Sequence, residues 1–240
     1  MSTSHKSLLL SLRNVYEVLA ISVPTVVEAA RGELSRTTCD ERLESFSSHI
    51  LGNLEIDLSV HGKENVARGQ TYVVMSNHQS HYDVPVLFSV LGGNMRMVAK
   101  QELFALPVFG RALRESGFIS VDRKNRERAV ASLAAAKKQL AGGTHIWIAP
   151  EGTRSPDGTL LPFKKGGFML AMDLGLPILP ITISGTRDAL RAKGIFSMRS
   201  AQVKVTIHSP VKPEDFASPD PKTTRDALIV EVRNRIASAL

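Results

Sequence analysis

The chain has 240 residues, of which 43% are hydrophobic and 22% charged, so it is long enough to bury one good globular core. Its net charge of +7 predicts an anionic partner. Nucleic acid is one candidate, although aromatic residues make up only 5% and no nucleic-acid-binding motif occurs, and an anionic membrane surface or a phosphorylated substrate fits as well. Cys39 is the only cysteine, which excludes an intrachain disulfide and favours a reducing compartment.

Residues 7 to 27 predict an amphipathic helix. Charged residues interrupt this segment, and its longest uncharged stretch, 18 to 27, is about half the length that a membrane-spanning helix needs. Its apolar residues recur at helical spacing, at Leu8, Leu12, Val15, Leu19 and Val23. The sequence leaves two interpretations open: the stripe lies in a membrane interface, or it packs on the protein's own core.

The rest of the chain alternates between strand and helix patterns. Residues 37 to 53 predict a second helix, and residues 56 to 60 alternate like a strand. Further strands are predicted at 71–76, 95–100, 118–121, 144–149, 178–184 and 203–208. Further helices are predicted at 84–91, 107–116, 126–141, 166–174 and 222–238. The pattern predicts an α/β fold with a mostly parallel central sheet flanked by helices, preceded by an N-terminal helical pair.

The stretch best suited to chemistry lies between the predicted strand 71–76 and the following helix. His78 lies on this loop, where α/β folds usually carry their functional residues. Asp83 is a favoured N-cap residue, and Pro85 suits the first helical turn. A tight loop would also bring the Asp83 carboxylate to the His78 imidazole, fixing its tautomer and leaving one ring nitrogen free to accept a proton. The segment alone therefore fits either a positioned base or a helix cap beside an ordinary loop histidine.

Cationic residues also follow predicted strands. Arg123 follows the strand at 118–121, and Arg154 follows the strand at 144–149. The planar guanidinium of arginine binds phosphate oxygens in pairs, so these two residues are candidates for holding a phosphate group. Lys100, at another strand end, is a weaker candidate for the same pocket.

Four motifs occur in order along the chain. They are Asn77-His78-Gln79-Ser80-His81-Tyr82-Asp83, Gly117-Phe118-Ile119-Ser120-Val121-Asp122-Arg123, Pro150-Glu151-Gly152-Thr153-Arg154-Ser155 and Leu176-Pro177-Ile178-Leu179-Pro180-Ile181. Together they resemble the signatures of the glycerolipid acyltransferases, the family of 1-acyl-glycerol-3-phosphate acyltransferases, and the resemblance covers residues 54 to 210. One departure is Ala149, where the family often has Phe, so that bulk is removed beside the expected site.

The resemblance implies a glycerol-3-phosphate acyltransferase-like fold, with residues 1–53 as an N-terminal helical segment and residues 54–240 as the catalytic domain. It implies that His78 removes the proton of a lysophospholipid hydroxyl as that hydroxyl attacks an acyl thioester, while Asp83 orients His78. Lysophosphatidic acid is the expected acceptor. The expected substrate-binding residues are Asn77, Lys100, Gly117, Arg123, Glu151, Gly152, Thr153, Arg154 and Pro177.

The resemblance implies no metal or redox cofactor, because acyl-CoA or acyl carrier protein supplies an activated acyl group. Acyl carrier protein would then be a protein partner, and nucleic acid is not expected. Since family members often attach to membranes through N-terminal helices, we expect a peripheral membrane protein on the cytoplasmic face. The alternatives are a different acceptor (glycerol-3-phosphate, another lysophospholipid or a lyso-aminolipid) and a non-catalytic membrane-binding module.

Overall fold

Two antiparallel helices open the computed structural model, which describes residues 7–122, 132 and 142–240. They are α1 (Leu8–Arg31) and α2 (Arg36–Asn53). An ion pair between Arg42 and Glu28 joins one end of the pair, and Asn53 donates a 3.2 Å hydrogen bond to Asn14 at the other. Both predicted helices are confirmed, and α1 continues beyond residue 27 because the left-handed residue that ends it is Gly32, with φ 72°.

Helix α1 turns its apolar side to solvent and its polar side to the protein. The whole predicted stripe is exposed, at Leu8, Leu12, Val15, Leu19 and Val23. The buried positions of α1 include Asn14, Ser22 and Thr25. Asn14 donates to the Tyr82 hydroxyl at 2.8 Å, and Thr25 accepts from Arg42 at 3.1 Å. The interpretation that the stripe packs on the protein's own core is therefore wrong.

Seven strands of the described chain form one sheet. They are β1 (Asp57–His61), β2 (Val73–Ser76), β3 (Met95–Lys100), β4 (Ile119–Val121), β5 (His145–Ile148), β6 (Ile178–Ser184) and β7 (Gln202–Ile207). Their order is β1-β7-β6-β2-β5-β3-β4, and within it only β6 and β7 pair antiparallel. The predicted mostly parallel sheet is confirmed.

Helices cover both faces of this sheet. The remaining α-helices of the described residues are α3 (Asp83–Leu91), α4 (Gln101–Phe104), α5 (Phe109–Glu115), α6 (Gly166–Leu174), α7 (Thr186–Ala189) and α8 (Pro221–Ala237). Short 3-10 turns occur at Lys63–Asn65 and Pro213–Phe216. The sequence did not predict α4 and α7, because a single turn is too short to show a hydrophobic period. The helix predicted at 126–141 lies outside the described residues.

The sheet separates two apolar cores, and alternate residues of each strand enter different cores. On one face, Val74 of β2 and Trp147 of β5 pack with side chains of α2 and α3, including Leu43 and Phe88. On the other face, the neighbouring strand residues pack with side chains of α6 and α8. Because both faces are covered, the central strands are short, continuous apolar runs, as parallel strands usually are.

Helix α2 approaches the turn after α3 so closely that Gly93 has no room for a side chain. A Cβ atom at Gly93 would lie 2.6 Å from the Cα atom of Asp40 and would overlap its carbonyl group. Asp40 is itself fixed by a 2.7 Å ion pair with Arg96, which is buried in β3. At Gly52, also in α2, the corresponding Cβ position has no described atom within 4 Å apart from the adjacent residues and the backbone of the helix itself.

We therefore expect Gly93→Ala to lower the free energy of unfolding by about 1–3 kcal/mol, because α2 must move away from the turn. Gly52→Ala is the matched control and should raise that free energy by up to about 1 kcal/mol, since alanine favours helix. Urea unfolding followed by circular dichroism measures both. A Gly93→Ala protein as stable as the unmodified one would contradict the close approach of α2.

Candidate active site

The carboxyl ends of the parallel strands carry most of the predicted site. Strands β2, β5 and β3 lie side by side in register, with Met75 beside Ile148 and Met97 beside Trp147. Residues that follow these strands therefore emerge at the same edge of the sheet. His78 follows β2, Lys100 ends β3, and Arg154 follows β5. The three residues lie at one sheet edge, as expected from their positions at or after the ends of predicted strands.

A direct hydrogen bond joins His78 to Asp83. The Nδ1 atom of His78 lies 2.7 Å from Oδ2 of Asp83, whose side chain is fully buried. The same carboxylate oxygen accepts from the backbone amides of Gln79, at 2.7 Å, and Ser80, at 3.0 Å. Because an ionised carboxylate only accepts hydrogen bonds, Nδ1 of the neutral ring carries the proton and Nε2 keeps its lone pair. The pair can therefore accept a proton from a group that lies against Nε2.

Asp83 does not cap helix α3. Tyr82 occupies the cap position, Asp83 is the first helical residue, and no side chain caps this helix end. The Asp83 carboxylate turns back to the amides of the preceding loop, which hold it against His78. The N-cap prediction is therefore wrong, and a helix cap beside an ordinary loop histidine no longer explains the spacing of the two residues.

Thr186 completes the environment of Asp83, and the sequence reasoning missed it. The Thr186 hydroxyl donates to Oδ1 of Asp83 at 2.5 Å, and Thr186 is fully buried. It begins α7, directly after Gly185, whose φ of 89° requires glycine. Thr186 lies 103 residues from Asp83 and outside all four motifs, so its only signal was a Gly-Thr pair after a predicted strand.

Glu151 holds the backbone of His78. Its Oε1 accepts from the His78 amide at 2.7 Å, and its Oε2 accepts from the Leu161 amide at 2.8 Å. Burial raises the pKa of the Glu151 carboxyl, and these two amide bonds oppose that rise. The Ser155 amide adds a 2.7 Å bond to the His78 carbonyl. The loops after β2 and β5 are thus joined around His78.

Asn77 and Trp147 support the same loop. The Asn77 side chain donates to the Ile183 carbonyl and accepts from the Ile183 amide, both at 2.8 Å, so it fixes the loop to β6. Trp147 packs against the His78 ring with centroids 5.5 Å apart and planes at 87°. Its indole N–H donates to the Ser76 hydroxyl at 3.0 Å. The contacts of Asn77 are therefore those of a positioning residue.

Positive charge surrounds the second histidine of the loop. Desolvation and then the charge of Arg154 lower the pKa of His81 to about 4, and His78 and Lys100 act in the same direction while Asp83 opposes them. His81 is thus neutral at pH 7, although the residue as a whole is exposed. Desolvation lowers the pKa of Arg154, which is half-buried, and Asp83 raises it. Within the described residues, Arg154 has no hydrogen-bonding or ion-pair partner, so its guanidinium is available to an anionic ligand.

The loop after β5 brings one further cation to this edge. Gly152 has φ 70°, and a Cβ atom there would meet the side chain of Lys164 at 2.8 Å. The side chain of Lys164 therefore covers Gly152, one of the expected substrate-binding residues. Thr153 follows with an exposed side chain.

Two expected site residues lie elsewhere, and a third is not described. Gly117 precedes β4 and closes the turn after α5, with φ 81° and an amide that donates to the Arg114 carbonyl at 3.0 Å. Pro177 precedes β6, and its carbonyl accepts from the amide of Val73, the first residue of β2. Both residues stand where parallel strands begin, whereas His78 follows a strand end, so the structure does not bring them to His78. Arg123 lies outside the described residues.

Known proteins resemble this chain in sequence and in fold. The family model described as Acyltransferase matches residues 57–184, which is 128 of the 240 residues. The chain is 34% identical to "1-acyl-sn-glycerol-3-phosphate acyltransferase BAT2, chloroplastic" of Brassica napus, across 80% of this chain and 56% of that protein. It is 35% identical to "1-acyl-sn-glycerol-3-phosphate acyltransferase alpha" of Homo sapiens, across 75% of this chain and 64% of that protein. The chain therefore spans less than two thirds of the length of these curated relatives.

A solved structure is similar over almost the whole chain. The crystal structure of the 1-acyl-sn-glycerophosphate (LPA) acyltransferase PlsC from Thermotoga maritima matches with a TM-score of 0.73 and 27% identity. The match covers 96% of this chain and 97% of that one, so it includes the N-terminal helices as well as the sheet. With the family model matched over more than half of its residues, the chain belongs to the acyltransferase family.

Proposed function

We propose that this protein transfers a fatty acyl group from an acyl thioester to the free hydroxyl of a lysophospholipid. Lysophosphatidic acid is the preferred acceptor, and phosphatidic acid is the product. The observation that carries the proposal is the hydrogen bond between His78 and the buried Asp83, at the edge of the sheet where the motif of His78 meets the motif of Glu151. The relatives named 1-acyl-sn-glycerol-3-phosphate acyltransferase support the choice of acceptor.

The reaction follows from the free lone pair on His78. Nε2 takes the proton of the acceptor hydroxyl as the hydroxyl oxygen attacks the carbonyl carbon of the thioester. The ring becomes an imidazolium beside the Asp83 carboxylate, which stabilises the new positive charge. The tetrahedral intermediate then collapses, the carbon–sulfur bond breaks, and His78 returns the proton to the departing sulfur. The products are an ester and a free thiol, and the ring is neutral again.

No covalent acyl-enzyme is needed, because a thioester is already activated toward an alcohol. The serine of the site loop, Ser80, is buried, and its hydroxyl accepts a 3.2 Å hydrogen bond from the Tyr82 amide, which suits a structural role. The thiol of Cys39 is buried in α2. Direct transfer calls for no metal or redox cofactor, and either acyl-CoA or acyl carrier protein can supply the acyl group.

The cations at the sheet edge favour an acceptor that carries a phosphate. Arg154 and Lys100, which the sequence predicted, and Lys164, which it did not, contribute positive charge near the His78 loop. Arg123 is the third cation that the sequence predicted for this pocket. A guanidinium free of protein partners is well suited to a phosphate group because it offers several N–H donors in one plane. A neutral acceptor such as a monoacylglycerol would leave these charges without a ligand.

We also infer that the protein binds peripherally to a membrane through the exposed apolar side of α1. This helix has 24 residues and is, within the described chain, the one helix long and apolar enough to cross a membrane, but its buried side is polar and bonded to α2. A helix of this kind suits the plane of the interface, where its apolar side enters lipid. The single cysteine, Cys39, agrees with the cytoplasmic face, which is a reducing environment.

The proposal predicts that His78→Asn lowers kcat by about 10²- to 10⁴-fold in acyl transfer from a long-chain acyl-CoA to lysophosphatidic acid, because the base is lost. His81→Asn is the matched control: this ring is neutral at pH 7, so kcat should stay within about tenfold. The assay panel adds acyl carrier protein as donor, and glycerol-3-phosphate, other lysophospholipids and monoacylglycerol as acceptors. A wild-type protein inactive with every pair would contradict the proposal and favour a non-catalytic membrane-binding module.

Thr186→Val should lower kcat by about 10- to 100-fold with little change in KM, because Oδ1 of Asp83 loses its donor and the carboxylate no longer holds His78 in one orientation. Thr186→Ser keeps the hydroxyl and should restore kcat. Thr182→Val removes another buried hydroxyl, on β6, the strand that precedes α7. It controls for lost stability and should leave kcat unchanged. Equal effects of Thr186→Val and Thr182→Val on kcat would show that Thr186 does not position Asp83.

A further inference from the structure

A loop between α7 and β7 exposes apolar and basic side chains together. Ile195 is 64% exposed and Phe196 is 44% exposed, and they are consecutive in the chain. Arg191 and Lys193, just before them, are also exposed. Two large adjacent apolar side chains preceded by two cations are more stable against a lipid surface than in water, because the apolar groups enter the lipid while the cations remain at its headgroups.

This loop is attached to the His78–Asp83 loop at both of its ends. Before it, Thr186 bonds to Asp83. After it, the Ser197 hydroxyl lies 2.5 Å from the hydroxyl of Tyr82, the residue that precedes Asp83. Ser197 and the Tyr82 ring are both buried. The position of the loop relative to the candidate active site is therefore fixed by hydrogen bonds rather than left to a free chain.

The loop also adjoins the first turn of α1. The Ser7 amide donates to the Ser197 carbonyl at 2.9 Å, and the Ser197 amide donates back to the Ser7 carbonyl at 3.3 Å. The Ser11 and Ser197 hydroxyls lie 2.8 Å apart. The next residues of α1 include Leu8 and Leu9, which is 78% exposed. The apolar end of the loop thus lies beside the apolar start of α1.

We propose that residues 191–196 form a second membrane-contacting element, in which Ile195 and Phe196 enter the acyl-chain region and Arg191 and Lys193 bind anionic lipid headgroups. This inference rests on the proposed function, because that function takes a membrane surface as partner. An anionic bilayer is the occupant that matches both the cations and the adjoining apolar side of α1. Contact here holds the edge that carries His78 close to the bilayer, where a lysophospholipid acceptor resides.

Sedimentation of the full chain with vesicles tests the inference, with phosphatidylcholine alone and with added phosphatidylglycerol. Ile195→Ser combined with Phe196→Ser should weaken partitioning to both kinds of vesicle by more than about tenfold, because two large apolar side chains no longer enter lipid. Arg191→Gln combined with Lys193→Gln should weaken partitioning by roughly 30-fold on anionic vesicles only. High salt should abolish this second difference.

Matched controls change equally exposed residues in other elements. Val230→Ser with Leu240→Ser replaces two exposed apolar residues at and beyond α8, and Lys212→Gln with Lys222→Gln removes two exposed charges. Both should bind vesicles as the wild type does. Wild-type partitioning by the Ile195/Phe196 variant, or equal losses in the controls, would overturn the inference.

Acyl transfer between short-chain, water-soluble substrates without vesicles separates the two proposals. The loop variants should keep the wild-type rate in that assay, because none of their changed residues contacts the site. A wild type that transfers no acyl group but binds vesicles through the loop would contradict the proposed function and leave this inference standing. An active enzyme whose loop variants partition normally would overturn this inference alone.

Discussion

The candidate site depends on a charge buried beside the sheet. A carboxylate removed from water is costly unless hydrogen bonds replace its hydration, and the Asp83 carboxylate has four donors: the His78 ring, the amides of Gln79 and Ser80, and the Thr186 hydroxyl. Three donors come from the loop after β2, and the fourth begins the helix after β6. Because β2 and β6 are hydrogen-bonded neighbours, the sheet itself brings the two ends of this arrangement together. The bond that orients His78 is therefore a consequence of the strand order.

The loops around His78 are held by contacts that reach in two directions. On the side of β5, the two carboxylate oxygens of Glu151 accept hydrogen bonds from the backbone amides of His78 and Leu161. These bonds hold His78 against the loop that carries Arg154. Toward α1, the Tyr82 hydroxyl meets Asn14 on the polar side of that helix. The apolar side of the same helix faces outward. A membrane that covered this side would therefore lie against an element hydrogen-bonded to the loop of the proposed base.

Sequence patterns predicted most of the fold and the contact between His78 and Asp83 in the candidate site, because short apolar runs between turn residues identify buried parallel strands and the loops that follow them. Periodicity also identified the apolar stripe of α1. A helical period shows which residues share one side of the helix, but it does not show which side packs against the protein. That choice depends on partners distant in sequence, such as Tyr82 for Asn14. Thr186 was missed for the same reason. Pro177 shows the opposite case, since a family motif includes it although it stands at the start of β6, away from His78.

The most direct test of this account is the protonation of the His78 ring, measured by ¹⁵N nuclear magnetic resonance of the full chain at a pH where it is active. We expect a neutral ring with the proton on Nδ1, bonded to Asp83, and an unprotonated Nε2. The ring of an Asp83→Asn variant should lose this preference, because an amide can also donate to Nδ1. A wild-type ring with its proton on Nε2 would contradict the account, since no lone pair would then face the acceptor hydroxyl.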